Sequence, residues 1–199
     1  RQMCIRDRIA LKNNCEYKSS DGLITPELQK VVKNYFFHSF SGVGLGSRDY
    51  IIGLNSDLKY YMFDYGYAVY SKKATYRYYK TIFMLRCTKN DIPSFRLKPK
   101  GLFDIFFSKN RKNELPKDYV DHLNGYYFWY DKKENSIEKV VKLLPEEIFI
   151  MVKDYKGMII EHFSNHIVLN YKNCRIPSYN LSRFFDIGTL PAAGGYFKN

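Results

Sequence analysis

The 199-residue chain has no apolar run approaching the roughly 18 residues of a membrane-spanning helix, so no part of it is predicted to cross a bilayer as a helix. It has no C-x-x-C. Its four cysteines, Cys4, Cys15, Cys87 and Cys174, stand far apart, which argues against a zinc ribbon or a disulfide framework. Reduced thiols packed as small apolar groups are expected, as in a cytosolic protein. The nucleophile elbow G-x-S-x-G, the Rossmann glycines, the P-loop and the kinase motifs are all missing. No catalytic residue, cofactor, metal or small-molecule substrate is implied, and the expectation leans against an enzyme.

Two segments come near to motifs and miss. Ser41-Gly42-Val43-Gly44-Leu45-Gly46 has alternating glycines but not the G-x-x-x-x-G-K-[ST] spacing, and a helix rather than a strand is expected before it. It reads as a flexible turn into the next strand. In Glu161-His162-Phe163-Ser164-Asn165-His166 the acid precedes the first His, so H-E-x-x-H is not met, and the segment reads as strand-turn-strand, where residues four apart straddle a bend. His38 and His122 have no partners that spacing can assign. Asp64, between Phe63 and Tyr65, is expected to be partly buried and bonded to a neighbouring strand rather than to act as an acid or base.

Acidic residues are scarce in one region. Residues 71–112 carry twelve Lys and Arg against Asp91 and Asp104, a net of +10 out of +12 for the whole chain. Such a cluster can attract phosphates of lipid head groups or of nucleic acid. Lys72, Lys73, Arg77, Lys80, Arg86, Lys98 and Lys100 are the candidate contacts with an anionic surface. The plainer alternative is a solvated face in a protein whose composition follows an AT-rich genome.

What the chain has in abundance is tyrosine, 19 residues, eight of them between Tyr60 and Tyr79. Tyrosine favours pleated, half-buried surfaces, and the break Ser71-Lys72-Lys73 divides the run, which predicts a long hairpin of strands 58–70 and 74–87. Alternation places Phe63, Tyr65, Tyr67 and Val69 on one face of the first strand and Tyr79, Thr81, Phe83 and Leu85 on one face of the second, and the two sets are expected to form one core wall. Further strands are expected at 49–54, 94–98, between Pro93 and Pro99, and 102–107. Residues 108–117 read as a linker between possible lobes 9–107 and 118–190 of one domain, with a tail from 191.

Thr25-Pro26-Glu27 opens a helix to about Phe37. Asn124-Gly125 turns into the aromatic strand Tyr126–Tyr130. Helices are predicted over 136–144 and, after Pro145-Glu146-Glu147, to about Tyr155, where Gly157 ends the second. A hairpin of 158–163 and 167–171 and a closing helix over 178–187 complete an α+β domain with a mainly antiparallel, meandering sheet.

Arg1 to Arg8, R-Q-M-C-I-R-D-R, is similar to translated sequencing adapter of the kind found in metagenomic assemblies, so it is expected to be foreign to the fold and to hide whatever lies upstream. Gly53, Phe63-Asp64-Tyr65-x-Tyr67, Tyr79-Lys80-Thr81-Ile82 and Pro93-x-Phe95-x-Leu97-x-Pro99, followed by Leu144, Glu161, Tyr171 and Phe184, resemble an uncharacterised bacterial family with a G...FDYxY...(Q)TV...PxFxLxPE pattern. Lys80 in place of Gln, Ile82 in place of Val and Lys100 in place of Glu depart from it. The resemblance implies that longer members carry membrane helices upstream of this domain. It supplies no catalytic residues. The expectation is therefore a basic, tyrosine-rich, non-catalytic domain of a membrane-associated bacterial protein, in the cytoplasm at the inner membrane face through an upstream anchor. Its partner would be a protein or an anionic membrane surface. The alternative is a nucleic-acid-binding module using 71–112, with Tyr76, Tyr78 and Tyr79 able to stack on bases.

Overall fold

The computed structural model describes residues 5–18, 43–55, 58–70, 74–86, 93–100, 123, 125–130, 137–143, 146–154, 156–163, 165–171 and 175–193. The helix expected from Thr25, the strand at 102–107, the linker at 108–117 and the residues Lys72 and Lys73 lie outside them. The described elements, in chain order, are helix α1 (Ile5–Lys12), strands β1 (Glu16–Lys18), β2 (Val43–Asn55), β3 (Leu58–Tyr70), β4 (Thr75–Arg86), β5 (Phe95–Pro99) and β6 (Tyr126–Tyr130), helices α2 (Ile137–Leu143) and α3 (Glu146–Asp154), strands β7 (Met158–Phe163) and β8 (His166–Tyr171), a 3-10 turn at Ser178–Asn180 and helix α4 (Leu181–Ala193).

The strands form one eight-stranded sheet in the order β1-β2-β3-β4-β8-β7-β5-β6. Every pairing is antiparallel, so the domain is α+β. The N-terminal strands make a meander, and the β7–β8 hairpin then slots between β4 and β5. Strands from both halves of the chain thus share one hydrogen-bonded sheet. The tyrosine-rich hairpin is β3–β4, paired without a register shift from Tyr60↔Leu85 to Tyr70↔Thr75.

The expected single wall on that hairpin is not what forms. Phe63 pairs with Ile82 and Tyr65 with Lys80, whereas Phe83 pairs with Met62 and Leu85 with Tyr60. Phe63 and Tyr65 therefore lie on the face opposite to Thr81, Phe83 and Leu85. Successive residues Tyr61, Met62, Phe63 and Asp64 are all buried, so both faces of the sheet centre are covered. Alternation can sort residues between faces, but it cannot pick the core face of a strand buried on both.

The glycine segment is also different from the expected turn. Val43, Gly44 and Gly46 belong to β2 and pair with Ala68, Tyr67 and Gly66, with a register shift between Gly44 and Gly46. Glycine suits such an irregularity in a strand, where one residue is left out of the ladder.

Helices cover the face that carries Phe83. In α3 Ile148, Met151 and Val152 recur at helical spacing and are buried, while Ile150 points outward. Gly157, at φ +92°, supplies the left-handed turn that leads from α3 into β7. Phe184, Phe185 and Ile187 of α4 join Val140 and Val141 of α2 and the sheet residues Tyr60, Phe83, Leu97, Phe128 and Ile160 in one cluster. Tyr60 stacks on Phe83 at 5.7 Å, and Phe185 meets the Phe83 ring edge-on at 5.9 Å. The closing helix runs to Ala193, past the expected end at residue 187. Helix α1 begins inside the segment predicted to be foreign, where Arg6 Nη2 lies 2.8 Å from Asp64 Oδ2, and just beyond that segment it places Ile9 and Ala10 in the cluster.

Candidate functional site at the β5–β6 edge

The five candidate cations among the described residues do not form one surface. Lys80 is 4% exposed, because the middle of β4 lies in the centre of the sheet, and it is removed from the candidate contacts. Arg77 is exposed near the far end of the hairpin, where Tyr70 and Tyr76 are exposed too, and it lies on the opposite face from Tyr76, Lys80 and Arg86. Nine residues of strand separate Arg77 from Arg86, about 30 Å. Arg86 shares a sheet face with Lys98, but β8 and β7 lie between their strands, a spacing of about 14 Å.

Two of these five do come together. Lys98 pairs with Tyr127 across β5–β6, and Lys100 Nζ lies 5.7 Å from the centre of the Tyr127 ring. Tyr127 is itself 5.4 Å from Trp129, whose cross-strand partner is Arg96. Arg96, Lys98, Lys100, Tyr127 and Trp129 thus make a cationic, aromatic face on the outermost pair of described strands. Pro93 precedes β5 and Pro99 is its last residue; among the described strands β5 is inner and β6 holds the edge.

Beside this face is a cleft of about 210 Å³ lined by Ser94, Phe95, Arg96, Trp129, Tyr130, Glu161, His162 and Phe163. It opens where β5 begins and β6 and β7 end. Arg96 Nε lies 2.8 Å from Glu161 Oε1, an ion pair without the alignment of a hydrogen bond, and the carboxylate is nearly buried while the guanidinium is not. On the other face of the strands, the His162 ring stacks on Phe95 at 5.9 Å.

His162 is 3% exposed, and its Nδ1 is 3.1 Å from the Pro93 carbonyl oxygen. A carbonyl only accepts, so Nδ1 carries the hydrogen, and in the neutral ring Nε2 is left as a lone-pair acceptor. Nε2 has no hydrogen-bond partner among the described residues. Burial pushes the His162 pKa below its usual 6.5; the Pro93 contact opposes this and the charge on nearby His166 adds to it. Phe163 pairs with His166 and His162 with Ile167, so the two histidines project from opposite faces of the hairpin. They do not converge as a metal pair would.

A pH dependence follows from the depressed pKa. The unfolded chain binds a proton at this ring more readily than the folded one does, so stability increases with pH through this range. The contribution is complete above pH 6.5 and is lost as pH falls through the lower folded value. In urea titrations at pH 7.5 and pH 5, wild type should lose more stability on acidification than His162→Phe, by up to about 1.4 kcal/mol per pH unit. Equal losses would remove His162 as the titrating group.

Asp64 is held as a structural residue. Thr81 Oγ1, on the neighbouring strand, donates to its Oδ1 at 2.7 Å, and Arg175 Nε donates to Oδ2. Cys15 packs against the core, with its Sγ 3.0 Å from the Tyr60 hydroxyl, and its thiol pKa is raised by burial.

The β5–β6 face could not have been assembled from the sequence, since Lys98 and Trp129 come from strands more than twenty-five residues apart. The only available signal was the density of rings in Tyr126–Tyr130 together with the basic bias just upstream. Among the described residues no helix is long and apolar enough to cross a membrane.

Neither a protein-family model nor a curated protein sequence matches the chain. The fold is similar to that in the crystal structure of the mycobacterial trehalose monomycolate transport factor A, TtfA, with a TM-score of 0.55 at 11% identity over 96% of this chain and 90% of that one. At that identity the likeness is one of fold.

Proposed function

We propose that the protein is a non-catalytic domain of a membrane-associated bacterial protein, and that it meets an anionic membrane surface from the cytoplasmic side through its β5–β6 face. The observation that carries this reading is the grouping of Lys98, Lys100 and Arg96 with Tyr127 and Trp129 on the outermost described strands, with Lys100 exposed and the other four half-buried. Amphipathic rings beside long cationic side chains suit the head-group layer, where the ring body lies against apolar matter and the charge stays in water. The fold it shares with a protein described as a transport factor is compatible with work at a membrane.

Flotation with vesicles tests the proposal. Wild-type protein should rise with vesicles containing anionic phosphatidylglycerol and stay behind with neutral phosphatidylcholine. At about 1 kcal/mol per cation near the surface, Lys98→Ala with Lys100→Ala should weaken the anionic binding roughly 30-fold. Equal recovery with both vesicle types sinks the lipid reading. A second reading has one observation in its favour, the exposure of Tyr70, Tyr76 and Arg77 at the hairpin end, with Tyr70 on the same face as Arg77. A salt-dependent mobility shift with a single-stranded oligonucleotide, lost in Arg77→Ala and kept in the Lys98 and Lys100 double variant, would favour nucleic acid instead.

A further inference from the structure

We infer that the cleft where β5 begins and β6 and β7 end is a binding site for a small organic carboxylate with an apolar body about the size of one ring. Its volume, about 210 Å³, suits one such body, since a cavity of about 150 Å³ holds benzene. Strand register sets its walls. Trp129 on β6, Arg96 on β5 and Glu161 on β7 are successive cross-strand partners, so they form one row on one face of the sheet. Phe163, two residues beyond Glu161, shares that face. The half-buried rings of Trp129 and Phe163, from the strands on either side of β5, line the cleft together with Tyr130 and favour an apolar ligand body.

The ion pair in that row selects the charge of the ligand. Its two members are unequally reachable: the Glu161 side chain is 6% exposed and the Arg96 side chain 35%. Arg96 Nε is shut from solvent beside Glu161 Oε1, so Nη1 and Nη2 are the guanidinium nitrogens left to meet a ligand. They only donate, and a ligand at them must bring acceptor oxygens. A carboxylate brings two, at the spacing of the fork. The buried acid thus holds the base from behind and offers a ligand cation no accessible countercharge. Lys98, next to Arg96 on the same face of β5, and Lys100 beside Tyr127 make three cations against one carboxylate here, which favours an anion over a neutral ligand. The site shares Arg96 with the cationic face, but its occupation does not depend on a bilayer.

Trp129 is the chain's only tryptophan, so its fluorescence reads this cleft directly. The test titrates the whole chain at pH 7, without vesicles, with cyclohexanecarboxylate, with its neutral isostere cyclohexanecarboxamide, and with acetate, which keeps the charge and lacks the body. Cyclohexanecarboxylate at millimolar concentration should move the Trp129 emission to shorter wavelength as water leaves the ring. It should bind about ten-fold tighter than the amide, the margin between a hydrogen bond to a charged group and one to a neutral group. It should also bind more than about ten-fold tighter than acetate, from the apolar area it covers. Arg96→Lys keeps a cation opposite Glu161 but loses the fork, and should cut the preference for acid over amide to about three-fold. No Trp129 response to cyclohexanecarboxylate, equal affinities for acid and amide, or acetate binding as tightly as cyclohexanecarboxylate overturns the proposal. All three are read on wild type, so none depends on the variant folding. With no lipid present, a negative result here leaves the vesicle result standing, and a failure to bind vesicles leaves this site standing.

Discussion

Replacing Asp64 by Ala should lower the free energy of unfolding by about 3–5 kcal/mol, the cost of removing one partner from a buried ion pair. The carboxylate is 2% exposed and sits where four segments meet. Oδ1 accepts from Thr81 on β4 at 2.7 Å, Oδ2 accepts from Arg175, and Arg6 of α1 approaches Oδ2 at 2.8 Å. The Thr81 oxygen, having given its hydrogen to Asp64, accepts the Ile176 backbone N–H at 2.8 Å. One carboxylate thus fixes a β4 hydroxyl, which in turn fixes the chain entering the 3-10 turn before α4. Alanine leaves the Thr81 hydroxyl without this acceptor and takes the Asp64 carboxylate from the nearly buried Arg6 guanidinium.

The two arginines should differ sharply. Arg175 is 61% exposed, and its replacement by Gln should cost no more than about 1 kcal/mol, since water takes over much of its solvation. Arg6 is 7% exposed, but it falls in the segment whose sequence resembles translated adapter. A chain beginning at Ile9 isolates the remainder: Asp64→Ala should still cost more there than Arg175→Gln, because the Thr81 bond and the Arg175 pair are both lost. Urea titrations analysed by linear extrapolation give these differences. An Asp64→Ala variant within 1 kcal/mol of wild type would show that the network is not what holds these segments.

Local chemistry made the β3–β4 hairpin, the two mid-chain helices and the β7–β8 hairpin legible in the sequence. Each carries its own signal within a dozen or so residues: rings on either side of Ser71-Lys72-Lys73, Pro followed by acids at 145–147, a polar turn at 164–166. Pairings between distant strands have no such signal. Nothing in β4 announces that Leu85 will lie beside Ile167, or in β5 that Arg96 will lie between Glu161 and Trp129. That missing layer explains the errors at Lys80 and at the supposed core wall. A lysine in a charged, tyrosine-rich stretch looks solvated until the strand is known to be central, and β3 is buried on both faces, so its two stripes look equally like core. The same layer hid the candidate site. His162 looked like half of a failed metal motif, and only the fold shows it stacked on Phe95 with one ring nitrogen bonded and the other bare.

The second large effect should come from Phe83, and its reading depends on a glycine. Phe83→Ala should cost about 3–5 kcal/mol, the usual penalty for emptying a fully buried ring site. Gly188 of α4 lies flat against this ring: a Cβ built there would sit 2.5 Å from Phe83 Cγ and 2.6 Å from both Cδ atoms. Optimal carbon contacts are about 3.5–4.0 Å, so the methyl group must push the ring or lift the helix. Those are atoms near the base of the side chain, which a rotamer change cannot easily move away. Gly188→Ala alone should therefore destabilise by about 1–2 kcal/mol, the overpacking cost less the gain in helix propensity of about 1 kcal/mol. In the double variant the sign of the second change should reverse. Once Phe83 is alanine, the Gly188→Ala methyl enters vacated space, fills part of the cavity and keeps its helical preference. The double variant should be at least as stable as Phe83→Ala, with a coupling energy of about 1–3 kcal/mol. Costs that simply add in thermal or urea unfolding would mean that α4 does not rest on the Phe83 ring through Gly188.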